Sequence, residues 1–199
     1  MIRLGLTGSI GMGKSTVLSM FAELGVPTWS ADAAVHRLYA PGGAGAEAVR
    51  TLVPRAVGAE GVDRVKLREA ILADASLFGR IEAAIHPLVE ADRNAFLARA
   101  RAAGARLAVC DIPLLFETGA ESGFDKIAVV TASPADQRAR VLGRQGMTEA
   151  AFDAILARQV PDAEKRARAD FVIDTAGEKR KTREQVGTIL AALTAAAPS

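Results

Sequence analysis

The chain has 199 residues, half of them hydrophobic and 24% charged, a balance that suffices for a full core and does not make disorder the default expectation. Its 25 Lys and Arg against 23 Asp and Glu leave a net charge of +2, and only 5% of residues are aromatic, which argues against nucleic-acid binding through a basic face or base stacking. No apolar run approaches the roughly 20 residues that span a bilayer, so no membrane partner is expected.

Ile2, Leu4 and Leu6 alternate as in a strand over 2–7. That stretch runs straight into G-S-I-G-M-G-K-S at 8–15, with Thr16 behind it, so no secretory leader is expected. Val17, Met20, Phe21 and Leu24 then share one helical face, closed by Gly25. Strand, glycine-rich turn and helix together form the setting of a nucleotide phosphate-binding loop. Gly8, Gly11 and Gly13 let the backbone turn tightly and approach phosphate, so that successive N–H groups form a nest. The helix start adds unsatisfied N–H groups and a positive dipole end. Lys14 brings a mobile positive charge toward the β- and γ-phosphates, and the Ser15 hydroxyl is placed to ligate Mg²⁺. ATP or GTP, with Mg²⁺, is therefore the expected donor and cofactor, held by Gly8, Gly11, Met12, Gly13, Lys14, Ser15 and Thr16.

A short strand over 26–29 follows, ending in Ser30-Ala31-Asp32. Asp32 stands either on the ligand-binding edge of a parallel sheet or as an N-cap for the helix from Ala33. Residues 41–61 are rich in Gly, Ala and Pro and read as irregular or weakly helical. From Asp63 to Ala103 the periodicity is helical, with a break predicted at His86-Pro87 and a new helix starting at the proline. Roughly seventy residues between two strands exceed an ordinary crossover and predict a helical, substrate-binding insertion.

Residues 106–111 (R-L-A-V-C-D) read as a central buried strand, with Cys110 as a core thiol. This lone cysteine excludes an internal disulfide and fits a reducing, cytoplasmic setting. Asp111 is either a Mg²⁺-related acid or a turn former. Another strand covers 126–131. Ser133 and Asp136 form a capping box opening a helix on which Arg140 and Arg144 share a face. A second helix begins after Thr148 and reaches Arg158-Gln159. Two arginine-bearing helices between strands read as a lid, with arginine suited to pairing phosphate oxygens. Arg138, Arg166 and the run Lys179-Arg180-Lys181 read as solvated. A last strand covers 171–174, and a closing helix is predicted over 182–193 with Thr182 and Gln185 as its cap. The alternation of strands and helices calls for a parallel sheet covered on both faces.

Several segments together resemble the dephospho-CoA kinase family: G-L-T-G-S-I-G-M-G-K-S-T-V at 5–17, L-G-V-P at 24–27, A-D at 31–32, H-P-L-V at 86–89, D-I-P-L-L-F-E-T-G at 111–119 and R-A-D-F-V-I-D at 168–174. The resemblance implies a P-loop NTPase fold, a three-layer α/β/α single domain with a five-stranded parallel sheet of order 2-3-1-4-5. Its core covers about 1–32, 105–134 and 168–199, its helical CoA-binding insertion about 33–104 and its lid about 135–167. It implies transfer of the ATP γ-phosphoryl group to the ribose 3′-hydroxyl of dephospho-CoA. Carried over by position, Asp32 matches the general base, Lys14 and Arg140 assist transfer, and His86, Pro87, Leu114, Phe116 and Glu117 fall near the acceptor. Ser15 and Asp111 are the expected metal contacts. Three positions depart from the family pattern: Ser9 replaces a glycine, Met12 a frequent serine, and Ser30 the first aspartate of D-A-D. A guanine-operated switch would need an N-K-x-D element, which is absent.

Overall fold

The computed structural model describes residues 1–195 and divides the chain into two compact units, Ser30–Arg99 and the remainder. In chain order the strands are β1 (Ile2–Thr7), β2 (Thr28–Ser30), the short β3 (Val57–Gly58) and β4 (Gly61–Val62), β5 (Leu107–Asp111), β6 (Lys126–Thr131) and β7 (Phe171–Asp174). A five-stranded parallel sheet runs β2-β5-β1-β6-β7. Counting only its own strands along the chain, this is the expected 2-3-1-4-5. Leu4 pairs with Val109, and Leu6 with Asp111 on one side and Ala128 on the other. This register aligns the carboxyl ends of β1, β5 and β6 on one edge, the edge from which the glycine-rich loop departs.

One face of the sheet carries Leu4, Leu6, Leu107, Val109, Ala128, Val130 and Ile173. Helix α1 (Lys14–Glu23) contributes Val17, Met20 and Phe21 to this core, and the C-terminal α9 (Lys179–Ala195) contributes Val186, Ile189 and Leu193. Alternate positions of the strands, among them Ala108, Cys110 and Val129, point to the other face and are fully buried. Gly5 lies on that face because the Phe124 ring would stand 3.0 Å from any Cβ there. Cys110 is the core thiol its neighbours implied.

The unit Ser30–Arg99 has its own core of Val49, Val53, Leu67, Ile81 and Ile85. Helices α2 (Ala31–Leu38), α3 (Ala44–Leu52) and α4 (Arg64–Ala73) lie within it, with the β3–β4 hairpin, which the Gly- and Ala-rich sequence did not announce. Asp63 caps α4, accepting from Val65 N and Lys66 N. The predicted break at Pro87 is absent: α5 runs unbroken from Ser76 to Ala102. The apolar stripe explains why. Ile81, Ile85, Leu88 and Val89 all pack into the same cluster, so the helix buries one face on both sides of the proline. The carbonyl that Pro87 leaves without a helical donor is that of Ala83, which is exposed and open to water.

Three other local expectations are corrected. Helix α6 (Pro134–Leu142) ends before Arg144, which therefore does not share its face with Arg140. At its start Ser133 Oγ accepts from Asp136 N as in a capping box, but the Asp136 carboxylate accepts from the Ser133 hydroxyl rather than from its backbone. Thr182 and Gln185 do not cap α9, which begins three residues earlier. Thr182 Oγ1 donates to Asp174 O, while Gln185 accepts from Asp174 N and donates to Asp174 O, so both side chains fasten α9 to the end of β7. The remaining helices are α7 (Glu149–Leu156), capped by Thr148, and α8 (Asp162–Ala167).

Candidate active site

The loop between β1 and α1 is shaped by what lies behind it. A Cβ on Gly8 would sit 2.4 Å from the Val130 carbonyl oxygen, and one on Gly11 would sit 2.5 Å from Val141 Cγ2 with φ at +78°. No other residue fits at either place without moving β6 or α6. Met12, where the family often has serine, is 3% exposed and belongs to the core, so its side chain anchors the loop from below. Gly13 caps α1 without a side-chain acceptor, so no capping side chain covers that helix start. The Ser15 and Thr16 side chains are exposed at that helix start.

Lys14 curls back over the loop, and its Nζ donates to Gly8 O at 2.6 Å. Arg140, from α6, reaches the same place: Nη1 donates to Thr175 Oγ1 at 2.9 Å, Nη2 to Thr175 O at 2.8 Å, and Nη1 also to Gly11 O at 3.4 Å. Thr175 in turn donates to Met12 O at 2.8 Å. Two cations thus converge on a short loop at the sheet's carboxyl edge. Asp111 ends β5 on that edge and is 5% exposed. A magnesium ion takes oxygen ligands, holds on to water and needs only one or two protein groups beside substrate phosphates. Ser15 and Asp111 fit that requirement. Among the described residues no cluster of three His, Cys, Asp or Glu forms a metal cage.

Leu114 is half exposed, and Phe116 is buried beneath Arg168, whose guanidinium carbon lies 4.2 Å from the ring centroid. Glu117 is turned inward. Its Oε1 accepts from Val160 N at 2.9 Å and lies 2.7 Å from Nζ of Lys165, a lysine with no exposed side-chain surface. Burial by itself would raise the Glu117 pKa, but the Lys165 ammonium, together with the Glu117 and Val160 amides, outweighs it and holds the carboxyl below its ordinary value.

In the unit Ser30–Arg99, Ser30 takes the cap of α2, its hydroxyl accepting from Ala33 N at 3.5 Å. Asp32 lies two positions further in, in the first helical turn, and is exposed. The departure from D-A-D therefore supplies the cap, and Asp32 is not the cap of α2. His86 and Pro87 are exposed within α5.

Of the residues singled out from sequence, the structure brings Gly8, Gly11, Met12, Gly13, Lys14 and Arg140 together. Four that sequence did not single out, Gln137, Gln159, Thr175 and Lys165, are as closely involved. Lys165 stands in the charged run D-A-E-K-R-A-R-A-D, which looks solvated throughout, and nothing in it marks one lysine as interior.

A dephospho-CoA kinase family model matches residues 2–181. The dephospho-CoA kinase of Cereibacter sphaeroides is 59% identical over 175 residues, covering 88% of this chain and 87% of that protein. That of Mesorhizobium japonicum is 56% identical over 190 residues, covering 96% and 95%. Among solved structures, TT1252 from Thermus thermophilus superposes with a TM-score of 0.78 at 29% identity, covering 99% of this chain and 98% of that one. With its loop, cations and sheet order matching, the chain belongs to the dephospho-CoA kinase family.

Proposed function

We propose that this chain transfers the γ-phosphoryl group of ATP to the ribose 3′-hydroxyl of dephospho-CoA, giving coenzyme A and ADP in the cytoplasm. The observation that carries the reading is the convergence of Lys14 and Arg140 on a helix start that no side chain caps, in a member of this family. Phosphoryl transfer asks for alignment and charge neutralisation more than covalent help. Lys14 and Arg140 neutralise charge on the transferring group, and the loop amides fix its position. Ser15 and Asp111 would hold Mg²⁺, which would supply positive charge against the developing charge of the phosphates. Asp32 orients the acceptor hydroxyl and takes its proton late, because an ordinary carboxylate is too weak a base to ionise an alcohol beforehand. The unit Ser30–Arg99 serves as the acceptor-binding subdomain and α6 to α8 as the lid. Acceptor binding by His86, Pro87, Leu114 and Phe116 follows the family resemblance.

An acceptor panel tests the reading. With ATP and Mg²⁺ supplied, dephospho-CoA, AMP, CMP and shikimate are offered separately, and ADP release and product mass are followed. Only dephospho-CoA is expected to gain the mass of one phosphate. Preferred phosphorylation of another acceptor overturns the assignment.

A further inference from the structure

The peptide of Ile10, at the crown of the phosphate loop, is held at both of its polar atoms by side chains from elsewhere in the chain. Its N–H donates to Gln159 Oε1 at 3.1 Å, and its carbonyl accepts from Gln137 Nε2 at 2.8 Å. Gln137 is buried on α6, and Gln159 lies in the connection between α7 and α8. The residue after Gln159 is also tied down, Val160 N donating to Glu117 Oε1 at 2.9 Å. Five positions on, Lys165 closes on that same Glu117 oxygen at 2.7 Å. Asp162 between them accepts from Thr131 Oγ1 at the end of β6, at 3.0 Å. The stretch from 159 to 165 is therefore fastened to the phosphate loop, to the segment after β5 and to the end of β6.

The choice of groups is informative. A buried lysine–carboxylate pair adds little stability over an apolar pair of the same size, because both charges must leave water. What it provides is geometry, since among the described residues the ion pair of the buried Lys165 ammonium is with Glu117. Glu117 thus ties Val160, next to Gln159, and Lys165 of α8 to one oxygen. A loop of three glycines, by contrast, has many conformations to lose when it closes around phosphates.

We propose that Gln159 is a positioning residue for phosphoryl transfer: acting through the Ile10 amide, and held by the Glu117–Lys165 pair, it fixes the phosphate loop in its binding shape before the nucleotide arrives. Glu117 then acts from inside the protein, on the loop, rather than on the acceptor. The proposal rests on the loop being the ATP site.

Gln159→Met tests it, keeping side-chain length while removing the acceptor for Ile10 N–H; Gln159→Glu restores an acceptor oxygen. Purified variants are compared with the parent chain for ATP affinity by calorimetry without acceptor, for KM of ATP and of dephospho-CoA, and for thermal midpoint. For Gln159→Met, ATP affinity and kcat/KM for ATP are expected to fall about tenfold, equivalent to about 1.4 kcal/mol. KM for dephospho-CoA should stay within twofold, and Gln159→Glu should recover most of the loss. Unchanged ATP affinity, tighter ATP binding, or equal losses toward both substrates overturns the positioning role. Tighter binding would mean that Gln159 competes with phosphate for the amide. Should Gln159→Met fail to fold, Gln159→Asn, which withdraws the amide by one methylene, carries the same expectation and the same refutation. A parent chain that binds no ATP would instead refute the functional reading itself.

Discussion

Asp32 illustrates how one substitution can free another residue. Serine at position 30 does the capping of α2, so Asp32 is not its cap, and Asp32 is exposed. General-base contributions are about 10²- to 10⁴-fold in rate. Asp32→Asn is accordingly expected to lower kcat for dephospho-CoA phosphorylation by that factor and to leave ATP affinity within about twofold. Near-normal turnover in a steady-state assay would remove it from the chemistry. Gly11 makes the opposite point, a residue whose importance is its lack of a side chain. Gly11→Ala places a Cβ 2.5 Å from Val141 in a left-handed conformation, and the left-handed region alone costs an alanine about 1–2 kcal/mol. Calorimetric titration should show at least roughly tenfold weaker ATP binding for this variant. Gly11 was legible in the sequence from its motif, and Asp32 carried two readings. The second reading was closed only by seeing whose oxygen meets Ala33 N.

At the scale of elements, agreement followed burial. The strands at 2–7, 126–131 and 171–174 were legible because each is a short apolar run bounded by turn signals, and 106–111 was out by one residue. Helix α5 shows where local rules lose. Pro87 costs a helix interior about 3 kcal/mol, and the chain accepts this because the stripe from Ile81 to Val89 is buried as one surface. Pro87→Ala is therefore expected to raise the free energy of unfolding by up to about 3 kcal/mol in a denaturant titration, and to raise KM for dephospho-CoA if the proline also touches the acceptor. A lower denaturation midpoint would show that the proline is accommodated by something other than helix packing. Thr182 is the converse case, a residue that looked like a cap because of Gln185 three places on. Thr182 is 4% exposed, and its hydroxyl donates to the end of β7. Thr182→Val should lower unfolding free energy by about 1 kcal/mol, measured by thermal melting, through the loss of that bond. Spacing alone cannot tell a cap from a tie between helix and strand, because both use the same side-chain oxygen.

For the molecule as a whole, carboxylates pair segments that lie far apart along the chain. Asp125, bonded to Arg3 at 2.7 Å, and Asp170, bonded to Lys126 at 2.7 Å, join Glu117 in having pKa values held below their ordinary ones. For Asp125 the Arg3 hydrogen bond leads; for Asp170 burial opposes the shift and the Lys126 ammonium with the Ile127 amide overcomes it. Because the folded values lie below the unfolded ones, this stability is fully present above the ordinary carboxylate range of about 4 and is lost as pH falls through the folded values. The thermal midpoint should hold between about pH 7 and pH 5 and drop below about pH 4. Glu117→Gln should flatten that acid limb, more than Asp125→Asn, whose half-exposed pair is screened by water. An acid limb unchanged in Glu117→Gln would locate the sensitivity elsewhere. No helix among the described residues is long and apolar enough to cross a membrane. By itself the sequence determined the sheet, its alternation with helices, the phosphate loop and the family, because those depend on periodicity and on contiguous residue types. Only the tertiary structure decided that Lys165 is interior, that Arg140 meets Thr175, and that Gln137 and Gln159 grip Ile10 from more than a hundred residues away. Such pairings arise from chain segments brought side by side by the packing of the sheet and its helices, and no local pattern encodes which polar side chain a buried peptide will find.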